Sequence, residues 1–198
     1  MDPLAVGKWA VELAGDAFSK WKGHRDPVRR QAARLISAFE AHDVKRQQIP
    51  RLLPEHIHVP AQAFSQPTAL LEYISPRVLE WTAETLALRP EWLDLDSLQA
   101  HHVIHVYKSP ASFVEWLESK GDVGSTWPLI YVLSESAFED PSTARGRFAI
   151  IYGEVFGNVG DKQLYRYYFL SSGWTFEHPP CAINLLAVLR LAEQFHIL

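Results

Sequence analysis

DPVRRQAARLISAFEAHD, residues 26–43, opens the run of segments on which the fold of this chain turns. VKRQQIPRLL (44–53), QPTALLEYI (66–74), SPRVLEWTAETLAL (75–88) and RPEWLDLD (89–96) follow it. Each has helix-start chemistry or helical spacing, and the joints carry proline, so a compact module of short helices is expected. Asp26 can accept hydrogen bonds from free backbone amides, and Pro27 presets φ at the first helical position. Val28, Ala32, Leu35, Ile36 and Phe39 recur at helical spacing on one face, with Arg29, Arg30 and Arg34 placed towards the other. Ile49, Leu52 and Leu53 can anchor a second helix whose Arg46, Gln47, Gln48 and Arg51 stay polar. Ser75 and Pro76 repeat the cap-plus-proline signal, and Val78, Leu79, Thr82 and Leu86 then form an inward stripe.

The order RLISAFEAHDVKRQQIPRLL followed by VLEWTAETLALRPEWLD resembles the lambda-repressor-like (Cro/repressor) helix-turn-helix family, over about residues 27–96. The Trp92-Leu93 pair matches the closing helix of that family. The resemblance implies a DNA-binding transcriptional regulator whose partner is double-stranded DNA. Arg46, Gln47, Gln48 and Arg51 would then contact phosphates and base edges. The chain departs from the family where the recognition helix should follow Leu53. There it reads PEHIHVPAQAFSQP, with prolines at 54, 60 and 67, and Pro50 interrupts the segment before it. The same residues therefore support an alternative, a non-enzymatic protein-interaction adaptor that keeps the helical scaffold without binding DNA.

Charge is distributed unevenly around this module. The chain of 198 residues has a formal net charge of −4, which argues against a generic polyanion binder. Within 22–51, however, 8 Lys/Arg stand against 3 Asp/Glu, a patch suited either to phosphate neutralisation or to a solvated helix face. Upstream, residues 1–25 are read as an amphipathic helix and a polar joint. Val6, Trp9, Ala10, Leu13, Ala17 and Phe18 share its apolar face, for packing on its own domain or a second subunit. A hydrophobic content of 47% against 21% charged residues is that of a globular chain. The single cysteine, Cys181, excludes an intrachain disulfide framework and suits a reducing compartment. No apolar run approaches bilayer-spanning length, so no membrane association and a cytoplasmic location are expected.

Downstream of the module the pattern changes from helical to strand-like. HHVIHVY (101–107) alternates, and SPASFVEWLESKG (109–121) reads as a helix with Phe113, Val114 and Leu117 inward and Glu115 and Glu118 in solvent. WPLIYVLS (127–134) reads as a buried strand, and 135–146 as a loop. RFAIIYGEVF and KQLYRYYFL read as a β-hairpin across GNVGD, and CAINLLAVLRLAEQFHIL (181–198) as a terminal helix. Ile183, Leu186, Val188, Leu189, Ala192 and Phe195 make that helix's apolar face broad, so burial is expected. The fold class is thus α+β. An N-terminal helix (1–25) and an all-helical helix-turn-helix-like module (26–97) precede a β-α-β-β-β-α sensing or dimerising domain (98–198) with an antiparallel hairpin.

Catalytic signatures are missing from the sequence. No glycine loop of phosphate-binding context and no Gly-x-Ser-x-Gly elbow occur, so no enzyme activity and no cofactor are expected. Cys181 lacks a base in sequence. On a strand His102 points away from His101 and His105, and His56 and His58 lie in the proline-rich loop with no completing ligand, so no metal is expected. A ligand face is expected on the hairpin instead, from Tyr131, Tyr152, Glu154, Arg166 and Tyr168. Hydroxyl-bearing aromatics beside a charge can line a pocket for a small molecule or protein partner, or form the outer face of an antiparallel sheet. A register with Glu154 across from Arg166 and Tyr152 across from Tyr168 would leave Ile151, Val155, Tyr165, Tyr167 and Phe169 against the terminal helix. A homodimer is the expected assembly.

Overall fold

A computed structural model describes residues 26–121, 127–135, 143–171 and 173–197. The N-terminal helix expected over 2–22 lies outside these residues, as does most of the 135–146 loop. The described residues form two compact units in a mixed α+β chain. The first comprises 26–100 and Phe156–Tyr165, and the second the described parts of His101–Val155 and Arg166–Leu198.

The first unit begins with α1 (Pro27–Ala41). Asp26 caps it by accepting from the backbone N–H groups of Val28 and Arg29, with Pro27 in the first turn. Leu35, Ile36 and Phe39 turn inward, and the Phe39 ring stacks on Trp81 at 5.3 Å between centroids. Arg34 departs from the expected polar face. It is buried, its guanidinium lies over the Trp92 ring, and it donates to the Trp92 carbonyl. The residue i+7 from Pro27 falls on the core side, where an arginine is tolerated because its charge meets a ring face and a backbone acceptor.

The second helix expected over 44–53 does not form. The chain turns through 46–48 and makes one 3₁₀ turn, Ile49–Leu52, with Pro50 near its start. Proline lacks the N–H that a longer helix needs at this point, and Pro54 stops any continuation. A second 3₁₀ turn, Ala61–Ser65, then leads into α2 (Pro67–Leu70) and a third, Leu71–Tyr73. The next helix, α3 (Pro76–Leu86), is capped by Ser75 and ends where Ala87 adopts a left-handed conformation at φ 52. Short α4 (Pro90–Leu93) closes the helical series and buries Trp92 and Leu93. Leu164 from the turn end of the hairpin belongs to the same core, and Lys162 donates to the backbone and carboxylate of Asp43.

The second unit is an antiparallel sheet with two helices on one face. The strands are β1 (Leu129–Ser134), β2 (Arg147–Val159), β3 (Lys162–Phe169) and a short β4 (Trp174–Thr175), with the turn end Phe156–Tyr165 belonging to the first unit. β2 is central, paired with β1, β3 and β4. The β1–β2 register sets Ile130 against Tyr152 and Val132 against Ile150. These side chains share one face with Phe148. They pack with Phe113 and Leu117 of α5 (Ala111–Ser119) and with Cys181, Leu185, Val188 and Ala192 of α6 (Pro179–Gln194). The hairpin turn is tighter than GNVGD suggests, because the strands run on to Gly160-Asp161, with Gly160 at φ 61.

Three sequence expectations fail in this unit. HHVIHVY makes no regular strand. A parallel bridge joins its Val103 to Phe169, and the backbone turns away by Lys108 at φ 58. The helices cover the Ile150/Tyr152 face of the hairpin and not the Ile151/Tyr167 face. The alternation itself is present, but both faces of β2 carry apolar residues, so alternation alone does not say which one the helices choose. Finally, α6 buries Val188 and Ala192 but leaves Ile183, Leu186 and Leu189 exposed.

Candidate functional site

In the second unit, period-two alternation along β2 and β3 brings Tyr152, Glu154, Arg166 and Tyr168 together. Glu154 is 1% exposed. Its Oε1 accepts from Arg166 Nε at 2.7 Å and from the Tyr168 hydroxyl at 3.3 Å. The Tyr152 and Tyr168 ring centroids lie 6.2 Å apart. Tyr131 is placed elsewhere. Opposite Ile151 in the β1–β2 register, it lies on the other face and meets Tyr167 edge-on. A Cβ at Gly153 would come within 3.2 Å of the Tyr131 ring and 3.3 Å of Tyr167, so glycine lets these two rings close over the strand.

Two further residues complete the cluster, both from α5 and its end. Lys120 Nζ stands 3.0 Å from the same Glu154 oxygen. It also lies 4.1 Å from the Tyr168 ring centroid and 4.8 Å from that of Trp116. The sequence carried a usable sign of this, Trp116 and Lys120 four residues apart and hence neighbours on one helical face. Nothing local says that this face lands on Glu154.

The electrostatics follow from burial. Desolvation pulls the Lys120 ammonium below its usual range, and the Glu154 carboxylate opposes that. Burial, reinforced by the Glu154 charge, pushes the Tyr168 hydroxyl up to about 12, so it remains a donor at neutral pH. One carboxylate therefore faces two cations and a neutral phenol. This arrangement holds fixed charge and aromatic faces together on one side of the sheet.

In the first unit, the four residues proposed for DNA contact divide in two. Arg46 Nε donates to Glu40 Oε1 at 2.6 Å, and Nη1 donates to the Ser65 carbonyl at 3.0 Å. Gln48 Oε1 accepts from the Lys45 backbone N–H at 2.8 Å. Gln47 and Arg51 are exposed. The shallow depression here is lined by Glu40 and Asp43 as well as Lys45 and Arg46, so its charge is balanced.

The segment after Leu53, where a recognition helix would stand, is folded inward. Ile57, Val59, Ala63 and Phe64 all belong to the core of the helical unit. Turning it outward would re-expose three large apolar side chains, at roughly 1.5–3 kcal/mol each. His56 and His58 are exposed, and His101 is buried against Phe169. Among the described residues, no three His, Cys, Asp or Glu side chains are grouped to hold a metal, and no helix is long and apolar enough to cross a membrane. Comparison with known families, with characterised proteins and with solved structures returns no match.

Proposed function

We propose that this chain works by binding other macromolecules as a non-enzymatic interaction module, keeping a helical scaffold of repressor type without reading DNA bases. The observation that carries this reading is the inward packing of 55–66, which places Phe64 in the core and offers no helix to a major groove. The pairing of Arg46 with Glu40 and Ser65 points the same way. In this reading the α+β unit presents the partner-binding surface. A cytoplasmic setting fits the single, buried cysteine.

A second reading, the DNA-binding regulator, draws on exposed Lys45, Gln47 and Arg51, close together in sequence. Such side chains can contact phosphate without specifying sequence. A titration of the full chain with duplex DNA across salt concentrations separates the two. The interaction reading expects no binding, or weak binding indifferent to sequence. Tight, sequence-selective binding would overturn it, and Arg46→Ala with Arg51→Ala would then lower the salt slope by about one unit for each phosphate no longer neutralised.

A further inference from the structure

The exposed side of α6 carries Ile183 and Leu186, at 64% and 52% exposure, with Leu189 beside them. Single exposed apolar residues are ordinary, but three within seven residues of one helix form a strip. No charged side chain interrupts α6 from Pro179 to Leu189. The strip runs into an open groove between α5 and α6, floored by Val114, Ala187 and Leu191. Glu115 and Arg190 stand at this groove. They have opposite charges, and among the described residues neither forms an ion pair.

We propose that this face is a twofold interface with a second copy of the same chain. A twofold contact is self-complementary, so the residue that one copy offers must find its counterpart on the other. One acid and one base at the same groove meet that condition. Glu115 of each copy pairs with Arg190 of the other, while the Ile183/Leu186 strips bury one another between the two pairs. A net charge of −4 opposes self-association over most of the surface. The uncharged strip with a compensated rim is where a second copy meets least repulsion. A lipid surface would call for a basic rim, and a partner of one charge sign would leave either Glu115 or Arg190 opposed. The proposal concerns the second unit alone and stands whether or not the helical unit touches DNA.

Sedimentation equilibrium of the full chain in the micromolar range is the test. Wild-type protein is expected to dimerise. Leu186→Glu should weaken the dimer by at least about tenfold, with far-UV circular dichroism unchanged because the position is exposed. Glu115→Arg alone and Arg190→Glu alone should each weaken it comparably, since each places like charges in contact twice. An equimolar mixture of these two variants should regain the dimer as a heterodimer, because each then supplies what the other lacks. A monomeric wild type, a dimer indifferent to Leu186→Glu, or a mixture that stays monomeric overturns the proposal. Capture of a different protein by a monomeric wild type does so too.

Discussion

The two units hold chemically similar pairs in different ways. In the helical unit Arg46 and Glu40 meet at the surface, 37% and 43% exposed. In the α+β unit Arg166 and Glu154 meet under α5, and the carboxylate is 1% exposed. Sequence treats them alike, as an arginine near a glutamate. Water makes the difference. An exposed pair exchanges one good environment for another, whereas a carboxylate taken out of water has only its protein partners to stabilise it. Lys120, Arg166 and Tyr168 gather on one oxygen of Glu154 because the site has excluded the solvent that would otherwise serve. Burial also shifts a titratable group in the helical unit. At His42, buried at the end of α1, desolvation moves the imidazole down to about 4, against opposing hydrogen bonds to the Ala38 and Leu86 backbone.

The largest expected effect is at Glu154. Glu154→Ala leaves two cations facing each other without their shared acceptor. Removing one partner of a buried pair costs about 3–5 kcal/mol, and the low end applies because Lys120 and Arg166 keep 18% and 29% exposure. Urea unfolding measures the loss, and a value of about 1 kcal/mol or less would mean that this pair behaves as a surface one. The next effect is a pH dependence in the helical unit. The folded chain binds a proton at His42 only near pH 4, whereas the unfolded chain binds one near 6.5. Stability is therefore complete above pH 6.5 and falls on acidification towards pH 4, with a slope approaching about 1.4 kcal/mol per pH unit. His42→Gln should remove this component, and the difference between the two stability–pH curves isolates it from the carboxylates. Identical slopes would show that the ring is solvated in the folded state. The smallest effect is Arg46→Ala, expected to cost about 0.2–1 kcal/mol and to shrink further in high salt. A cost equal to that of Glu154→Ala would mean that Arg46 anchors the 55–66 segment through the Ser65 carbonyl, which would sharpen the case against a role in DNA contact.

Much of the candidate cluster is legible in the sequence. Alternation along KQLYRYYFL and RFAIIYGEVF puts Glu154, Arg166, Tyr152 and Tyr168 on one side, and the structure brings all four together. Tyr131 groups with them in sequence because a tyrosine between Ile130 and Val132 looks the same from either side of a strand. Only the pairing of Tyr131 with Ile151 assigns it to the other face. The polar face of α1 misleads at Arg34, because a helical wheel cannot know that Trp92, fifty-eight residues on, presents both a ring and a carbonyl to it.

By itself the sequence determined the local elements. Capping by Asp26 and Ser75, the helical stripes of α1 and α3, the proline breaks at 50, 54 and 60, and the period-two hairpin follow from interactions within a few residues. Tertiary structure decided how those elements are used. It made α5 cover the Glu154 face, turned Ile57, Val59 and Phe64 into the core, and left Ile183 and Leu186 of α6 exposed. The reason is that periodicity marks an apolar face but not what covers it. Burial is settled by partners far along the chain, which compete for that face according to the apolar area each removes from water.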